Sequence, residues 1–232
     1  MDFLQLQKYG TENGIEIGDE TVRQLQTYMD LLIEWNEKFN LTAITDPEEI
    51  VSKHFCDSII PLTIFDIRGR VGDVGSGAGF PGLVWKIVRP DLSVVLIEPT
   101  GKRCTFLNEV IRTLDLEDIE VKNVRSEDLA KTERESFDTI AARAVANLQV
   151  LSELCLPLVK QGGSFIAMKG QNIDAELHNA EHAIEVLGGK TEAVNVSQLA
   201  EGDVRNNILI RKVKHTPAQY PRNYGRITKK PL

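Results

Sequence analysis

The chain has 232 residues, of which 42% are hydrophobic and 26% charged, a composition that suits one sizeable globular domain with an appendage. No apolar run approaches the ~20 residues that a membrane-spanning helix requires, and residues 1–5 lack the basic and apolar parts of a secretory signal. Cys56, Cys104 and Cys155 show neither metal-ligand spacing nor a disulfide framework. We therefore expect a cytoplasmic protein without a bound metal, and nothing in the sequence calls for more than a monomer.

The formal net charge of −7 hides a strong asymmetry along the chain. Eight of the 27 Lys and Arg residues lie in residues 205–232, which contain no Asp or Glu. The first 204 residues therefore hold 19 basic side chains and all 34 acidic ones. An acidic body with a basic end predicts contact with a polyanion, although a solvated tail that only aids solubility is the alternative.

The first sixty residues are predicted to be helical. Apolar side chains recur at three- and four-residue steps over residues 22–39, behind a capping residue at Asp19. The sequence Asp-Pro-Glu-Glu at 46–49 is typical of a second helix start. Pro61 helps to break this pattern, so we place a domain boundary near residue 62.

Beyond that boundary, predicted strands and helices alternate. This alternation predicts an α/β fold with a mostly parallel, seven-stranded Rossmann-like sheet that binds its ligand at the carboxyl ends of the strands. The predicted strands are 71–74, 93–98, 119–124, 137–142, 163–168, 190–197 and 207–213, and the predicted helices are 82–89, 102–114, 147–159 and 175–187. We divide the chain into a helical extension (1–61), the sheet domain (62–213) and a basic tail (214–232).

The first predicted strand runs into a glycine-rich turn, and the second ends at the acidic residue Glu98. Glycines let the backbone approach a ligand closely, and a carboxylate can bind a pair of ribose hydroxyls. The sequence therefore predicts a nucleotide-binding crevice. The residues of the turn that we assign to it are Asp73, Gly75, Gly77, Gly79 and Phe80.

The spacing of this turn distinguishes between nucleotide ligands. Phe80 stands where a dinucleotide fingerprint has its third glycine, and Leu83-Val84 stand where a phosphate loop needs Lys followed by Ser or Thr. The pattern D-x-G-x-G-x-G with a downstream acid resembles motif I of class I methyltransferases that use S-adenosylmethionine (SAM), a ligand without phosphate. A glycine turn with a purely structural role is the alternative.

Polar groups follow several other predicted strands at the same edge of the sheet, where they would form a site. We expect Glu98 to bind the ribose, and Ser126 and Glu127 to flank the adenine. A surface ion pair of Arg125 with Glu127, and a solvated Lys169, are the structural alternatives. The charged or polar residues at these strand ends are Glu98, Arg125, Ser126, Glu127, Arg143 and Lys169.

Two common devices for methylating bases are missing from the sequence. No Asn or Asp precedes Pro-Pro-Tyr or Pro-Pro-Phe, and the fourth predicted strand is followed by Arg143 and Ala144 where covalent attack on a pyrimidine would need a cysteine. A ring nitrogen with a free lone pair, such as N7 of guanine, needs neither device, because orientation toward the methyl group is enough. This reasoning permits N7 without selecting it.

Motifs along nearly the whole chain resemble the small-subunit rRNA guanine-N7 methyltransferase family known as RsmG or GidB. The most distinctive are the Gly-Phe-Pro-Gly extension at 79–82 and Tyr220-Pro221-Arg222. The others are Trp35-Asn36, Asn40-Leu41-Thr42, His54 with Asp57-Ser58, Gly75 to Ala78, Arg143-Ala144-Val145, Met168-Lys169-Gly170, Thr216-Pro217 and Pro231-Leu232.

The resemblance implies SAM-dependent methylation of a guanine in the 530 loop of 16S rRNA, guanosine 527 in conventional numbering, with low-level streptomycin resistance when the methyl group is lost. It implies a small ribosomal subunit as partner and no membrane. It carries cofactor contacts to Gly75, Phe80, Ser126, Glu127 and Arg143, with a second-strand contact at Glu98. We assign catalytic roles to Arg143 and Lys169, and leave the roles of Asn40 and His54 open.

The basic end agrees with an RNA substrate, since its charges could neutralise phosphates. Tyr220 and Tyr224 could stack on exposed bases or pack against the domain. We expect RNA contacts from Arg125, Lys169, Arg211, Arg222 and Arg226, and SAM binding that survives removal of residues from about 214. The competing functions are methylation of a ribosomal protein or a small molecule, and SAM-dependent regulation without turnover.

Overall fold

The computed structural model describes residues 1–143, 146–200 and 202–232, which are organised around one seven-stranded sheet. Its strands are β1 Arg70–Val74, β2 Ser93–Ile97, β3 Ile119–Lys122, β4 Phe137–Arg143, β5 Val159–Lys169, β6 Gly189–Gln198 and β7 Val204–Lys212. They lie in the order β3-β2-β1-β4-β5-β7-β6. The strands β1 to β5 are parallel, and β7 is antiparallel to both β5 and β6. The predicted mostly parallel sheet is confirmed.

Helices precede the sheet and cover both of its faces. They are α1 Phe3–Glu12, α2 Asp19–Phe39, α3 Pro47–Ile50, α4 Asp57–Ile64, α5 Gly82–Val88, α6 Gly101–Thr113, α7 Ser126–Leu129, α8 Leu148–Cys155, α9 Asp174–Val186 and α10 Tyr224–Lys229. A π-helical segment, Val51–Cys56, joins α3 to α4. None of the helices in the described ranges is long and apolar enough to cross a membrane.

Local sequence explains where the helices begin, with two corrections. The N-cap of α2 is Gly18, so Asp19 is wrong as the cap and instead places a carboxylate in the first turn, where it favours the helix dipole. Asp46 caps α3 as predicted, because its side chain accepts from the Glu49 amide. The helix predicted over 147–159 ends at Cys155, and a 3₁₀ turn containing Pro157, which has no amide donor, leads into β5.

The division near residue 62 falls inside α4, which continues to Ile64. The break in regular structure lies between Ile64 and Arg70 instead. Pro61 does not end the helix at its own position. The connection to β1 therefore begins a few residues later than the sequence suggested.

The helices before β1 share a hydrophobic core with one face of the sheet. Leu25, Tyr28 and Leu32 of α2 are fully buried, and α2 packs against α5 and α6. Alternate residues of each strand divide between this core and a second one on the opposite face, as the pleat requires: Val94 joins the first and Val95 the second. Helices α2 and α4 are thus packed onto the sheet domain.

The basic C-terminal segment begins with a buried lysine. Lys212 is fully buried and donates to the Leu156 carbonyl and the Thr216 hydroxyl, and its ammonium lies 3.2 Å from a Glu135 carboxylate oxygen. Burial lowers the pKa of Lys212 to about 8, and Glu135 opposes that shift. One of the eight basic residues counted in this segment is therefore buried and does not contribute to its surface charge.

The rest of the segment is folded against α8. Arg222 forms a buried ion pair with Glu153, with 2.5 Å between Nη2 and Oε2 and 2.8 Å between Nε and Oε1. Ile227 of α10 is fully buried, and the Gln149 amide donates to the Leu232 carbonyl. The segment is packed against the rest of the fold, and Arg222 has a structural partner.

Replacing Arg222 by alanine leaves the Glu153 carboxylate buried without its partner. Because breaking a buried ion pair is strongly destabilising, we expect Arg222→Ala to lower the free energy of unfolding by about 3 kcal/mol. Chemical denaturation measures this directly. Arg226→Ala, which removes an exposed charge from the same segment, is the control and should change it by less than about 0.5 kcal/mol. Equal effects of the two substitutions would contradict the structural role of Arg222.

Candidate active site

The turn between β1 and α5 has a backbone that favours glycine. Gly75, Gly77 and Gly79 have φ values of 71°, 59° and 104°, which L side chains rarely adopt. A Cβ atom on Gly79 would lie 2.7 Å from the Tyr28 hydroxyl oxygen, so this position is also closed sterically. The glycine motif therefore reflects both conformation and close packing.

Hydrogen bonds to two side chains outside the turn, Tyr28 and Glu98, hold it in place. The buried Tyr28 hydroxyl of α2 donates to the Ala78 carbonyl. Glu98, only 1% exposed, accepts from the Gly77 amide at 2.9 Å and from the Thr100 amide at 2.8 Å through its two different oxygens. Each oxygen of Glu98 keeps a second lone pair, so the carboxylate can still accept from a ribose hydroxyl.

Asp73 supports the turn from beneath. Its Oδ2 accepts from the Gly82 amide at 2.9 Å, whereas its buried Oδ1 has no hydrogen-bond partner among the described residues. Burial raises the pKa of Asp73 to about 7, against the effect of the Gly82 amide and the Arg143 charge. A buried carboxylate of this kind is stabilised by a nearby hydrogen-bond donor or cation.

The first cavity, which we call the cofactor cavity, has a volume of about 390 Å³ and opens beside the turn. It lies between the turn, the residues after β2 and the segment before α3. Its lining consists of Leu41, Thr42, His54, Gly75, Ser76, Gly77, Ala78, Phe80, Glu98, Pro99, Thr100, Arg103 and Arg143. Predicted cofactor residues from the turn, from the end of β2 and from β4 thus meet in one space.

Phe80 forms the wall of this cavity and organises its neighbours. The His54 ring stacks on it at 4.4 Å between centroids, and the Tyr28 ring stacks on it at 5.5 Å. The guanidinium carbon of Arg143 lies 4.8 Å from the centre of the Phe80 ring. Since a cation over an aromatic face is attracted to it, Phe80 helps to fix Arg143.

Arg143 is also held by the helix that contains His54. Its Nη1 donates to Asp57 Oδ2 at 3.1 Å and to the Lys53 carbonyl at 3.2 Å, and its Nη2 lies 3.2 Å from His54 Nδ1. Asp57 also pairs with Arg205, at 3.2 Å between Oδ1 and Nε. Burial raises the pKa of Asp57, while the two guanidinium groups oppose that shift and favour the carboxylate.

His54 is held in its neutral form. Burial first, and then the Arg143 charge, lower its pKa to about 3. Its Nε2 lies 2.9 Å from the Thr42 hydroxyl oxygen. His54 lies in the π-helical segment, a geometry that is frequent at functional sites. At neutral pH it is an uncharged packing and hydrogen-bonding group.

A second cavity lies on the far side of Arg143 and His54, which line both spaces. It has a volume of about 340 Å³, and its lining consists of Ile44, Lys53, His54, Asp57, Arg143, Met168, Lys169, Gly170 and Arg205. Lys169 at the end of β5 forms a 2.6 Å ion pair with Glu176 and donates to the Ala146 carbonyl. Four of the residues that border this cavity are cationic, and one, Asp57, is anionic.

A third cavity continues from the cofactor cavity on its other side, through Gly75 and Pro99, which line both. It is small, about 110 Å³, and its lining consists of Val74, Gly75, Ile97, Pro99, Arg125, Ser126, Glu127, Leu154 and Tyr224. The three predicted residues that follow β3 all lie here. The three cavities therefore form one crevice along the carboxyl edge of the sheet.

The structure separates the predicted RNA-contact residues. Arg125 and Lys169 border the crevice, whereas Arg211 forms an ion pair with Glu192, at 2.7 Å between Nε and Oε2, on the strands at the sheet's end. Arg222 pairs with Glu153 inside the fold, and Arg226 is exposed on α10. Ala144 and Val145 of the turn after Arg143 lie outside the described residues.

Sequence reasoning missed several members of the site: Tyr28, Asp57, Arg205 and Tyr224. Tyr28 was expected only to be one of the recurring apolar side chains of the helix over residues 22–39. Asp57 was noted only as part of a family motif, with no role assigned. Arg205 could have been inferred from topology, since a final antiparallel strand beginning beside the end of β5 brings its first residues to the same edge. Asn40 has a structural position as the left-handed residue that ends α2.

Solved structures of low sequence identity share this fold. A TYW2 protein from M. jannaschii, in complex with AdoMet, aligns with a TM-score of 0.57 at 15% identity over 74% of this chain and 80% of that one. A SAM-dependent methyltransferase from Aquifex aeolicus aligns with a TM-score of 0.51 at 18% identity, over 71% of this chain and 93% of that one. The sheet and its crevice have the fold of the class I SAM-dependent methyltransferases.

Sequence relatives are more specific. The profile of the family described as rRNA small subunit methyltransferase G matches residues 21–206. Ribosomal RNA small subunit methyltransferase G of Bacillus cytotoxicus is 46% identical over 100% of this chain and 99% of its own length. The Clostridium novyi protein of the same name is 43% identical over 99% of this chain and 97% of its own length. The chain belongs to the rRNA small subunit methyltransferase G family.

The low pKa of His54 predicts that the free energy of unfolding decreases as the pH falls below neutral. Because the folded protein resists protonating His54, the unfolded state binds more protons as the pH falls below the ordinary value of 6.5, and stability is lost. We expect this group to cost about 1 kcal/mol of unfolding free energy between pH 7 and pH 5.5. Denaturation of the wild type and His54→Gln at both pH values measures it. The variant should lose less stability, and equal losses would show that His54 titrates normally.

Proposed function

We propose that this protein uses SAM to methylate N7 of a guanine in the 530 loop of 16S rRNA. The observation that carries the proposal is the shared wall between the cofactor cavity and the second cavity, formed by Arg143 and His54. A base in the second cavity would meet a cofactor methyl group where the two cavities adjoin, beside these two side chains. Membership of the small-subunit rRNA methyltransferase family supports rRNA as the substrate.

The charge of the second cavity suits a guanine nucleotide. Lys53, Arg143, Lys169 and Arg205 surround it and are opposed there by Asp57. Guanine presents two acceptors, O6 and N7, on one edge, and Arg and Lys are their usual partners in proteins. A phosphate attached to the nucleotide would also be attracted by this set of cations.

The ionisable residues that line the second cavity favour a methyl acceptor that does not have to be deprotonated by a general base. Asp57 is paired with Arg143 and Arg205, and Lys169 is paired with Glu176. His54, with a pKa of about 3, is too weak a base to remove a proton from an amino group efficiently. Guanine N7 already carries a lone pair and has no proton to lose, so proximity and orientation supply the catalysis.

Each part of the crevice has a task in this reaction. When bound, SAM supplies an electrophilic methyl group. Glu98 would hold the ribose, and the glycine turn would let the backbone approach the ligand. Phe80 and Asp57 fix Arg143 between the two cavities, where its guanidinium orients the acceptor. Lys169 adds a positive charge at the end of β5.

The proposal is tested by transferring labelled methyl groups from SAM to small ribosomal subunits that lack the modification, followed by identification of the labelled base. We expect 7-methylguanine in the 530 loop. Naked 16S rRNA and purified ribosomal proteins, assayed in parallel, separate the possible substrates. Label in a ribosomal protein, or in small molecules only, would overturn the RNA proposal. A strain lacking the enzyme should show low-level streptomycin resistance.

The ion pairs around Arg143 predict the effect of two substitutions on turnover. Arg143→Ala should lower kcat/KM for small subunits by at least about 10²-fold, and Asp57→Asn by about 10²-fold, because a displacement near 1 Å at a reacting centre has an effect of this size. Steady-state kinetics and SAM titration measure both. Arg89→Ala and Asp91→Asn disrupt an ion pair before β2, at the opposite edge of the sheet, and are matched controls. Near-normal turnover in Asp57→Asn would refute its positioning role.

A further inference from the structure

We propose that the C-terminal helix α10 completes the cofactor site, with Tyr224 forming one wall of the subsite for the adenine ring. The sequence suggested RNA binding for this part of the chain. The inference depends on SAM as cofactor and is independent of which base is methylated. It rests on the third cavity, on the position of Tyr224 at its border, and on the contacts that fix α10.

The third cavity has the chemistry that a purine requires. Val74, Ile97 and Leu154 supply apolar surface, while Ser126 and Glu127, both buried, supply polar atoms. Binding sites for flat ligands combine an apolar surface with a few polar groups that fix orientation. Because this cavity joins the cofactor cavity through Gly75 and Pro99, one elongated ligand can occupy both.

Tyr224 is positioned at this cavity by a specific contact. The guanidinium carbon of Arg125 lies 5.1 Å from the centre of the Tyr224 ring, and both residues border the cavity. Tyr224 as a residue remains 38% exposed, which is unusual for a large hydrophobic residue among those described. A stacked base would cover aromatic surface that the protein itself leaves open.

The anchors of α10 are connected to the floor of the cavity. Glu153 of α8 holds Arg222, and the next residue, Leu154, lines the third cavity. Asn223 caps α10 by accepting from the Arg226 amide at 3.0 Å, and the buried Ile227 secures the helix. A single turn of α8 therefore fixes both the apolar floor and the segment that presents Tyr224.

Removal of the segment should consequently affect the cofactor as well as RNA. Residues 214–232 lie outside the sheet, yet they contribute a side chain to the crevice. We therefore expect deletion from residue 214 to weaken SAM binding, whereas the sequence alone led us to expect that SAM affinity would survive. Substitution of Tyr224 tests this point without removing the anchors.

The experiment measures dissociation constants by calorimetry for SAM and for adenosine, which carries the adenine without the methionine. Tyr224→Ala should weaken binding of both by about tenfold, within the range of base–aromatic stacking. Tyr224→Phe keeps the ring and should stay within about twofold of the wild type. Lys229→Ala removes an exposed side chain from the same helix and should also stay within about twofold.

Thermal unfolding of each variant separates stacking from loss of structure. If Tyr224→Ala disturbs the fold, Tyr224→Leu retains apolar packing without an aromatic face and should still weaken both ligands. Unchanged affinity for SAM and adenosine in a folded Tyr224→Ala protein would overturn the proposal. If that variant instead bound small ribosomal subunits more weakly, Tyr224 would belong to the RNA surface. Neither result depends on guanine N7 being the methylated atom.

Discussion

The Arg143 guanidinium, held between the Phe80 ring and the Asp57 carboxylate, is the interaction on which the arrangement of the site depends. It joins three segments that are distant in the sequence: β4, the glycine turn and the helix preceding β1. A charge in this largely buried position is stable only if its donors are used, and the Lys53 carbonyl and His54 complete the set. The same contacts place Arg143 between the cofactor cavity and the second cavity.

The N-terminal helices consequently belong to the site as much as the sheet does. Tyr28 of α2 fixes the glycine turn by donating to the Ala78 carbonyl, and its ring supports Phe80. His54 and Asp57 reach Arg143 from the π-helical segment and α4. A methyltransferase sheet without these helices would keep its glycine turn but would lose the partners of its central arginine.

The predictable features are those that local sequence determines. Alternating apolar segments identified every strand, and the glycine spacing located the tight turn after β1, because both depend on neighbours in the chain. The limits of α8 and the position of the break before β1 were wrong, since proline tolerates more than one local structure. Asp57 could not be assigned a role, and Tyr224 could not be decided between base stacking and packing, because their partners lie more than eighty residues away. Arg222 and Lys212 look like free charges in sequence and are stabilised by tertiary contacts.

The antiparallel direction of β7 has a consequence for how such an enzyme can diversify. A parallel strand brings only its last residues to the carboxyl edge, where they are followed by a loop that also shapes the cofactor crevice. Strand β7 runs the other way and delivers its beginning, Arg205, to the second cavity. Substitutions at the start of β7 can therefore alter the lining of the second cavity while the strands that border the cofactor cavity remain unchanged.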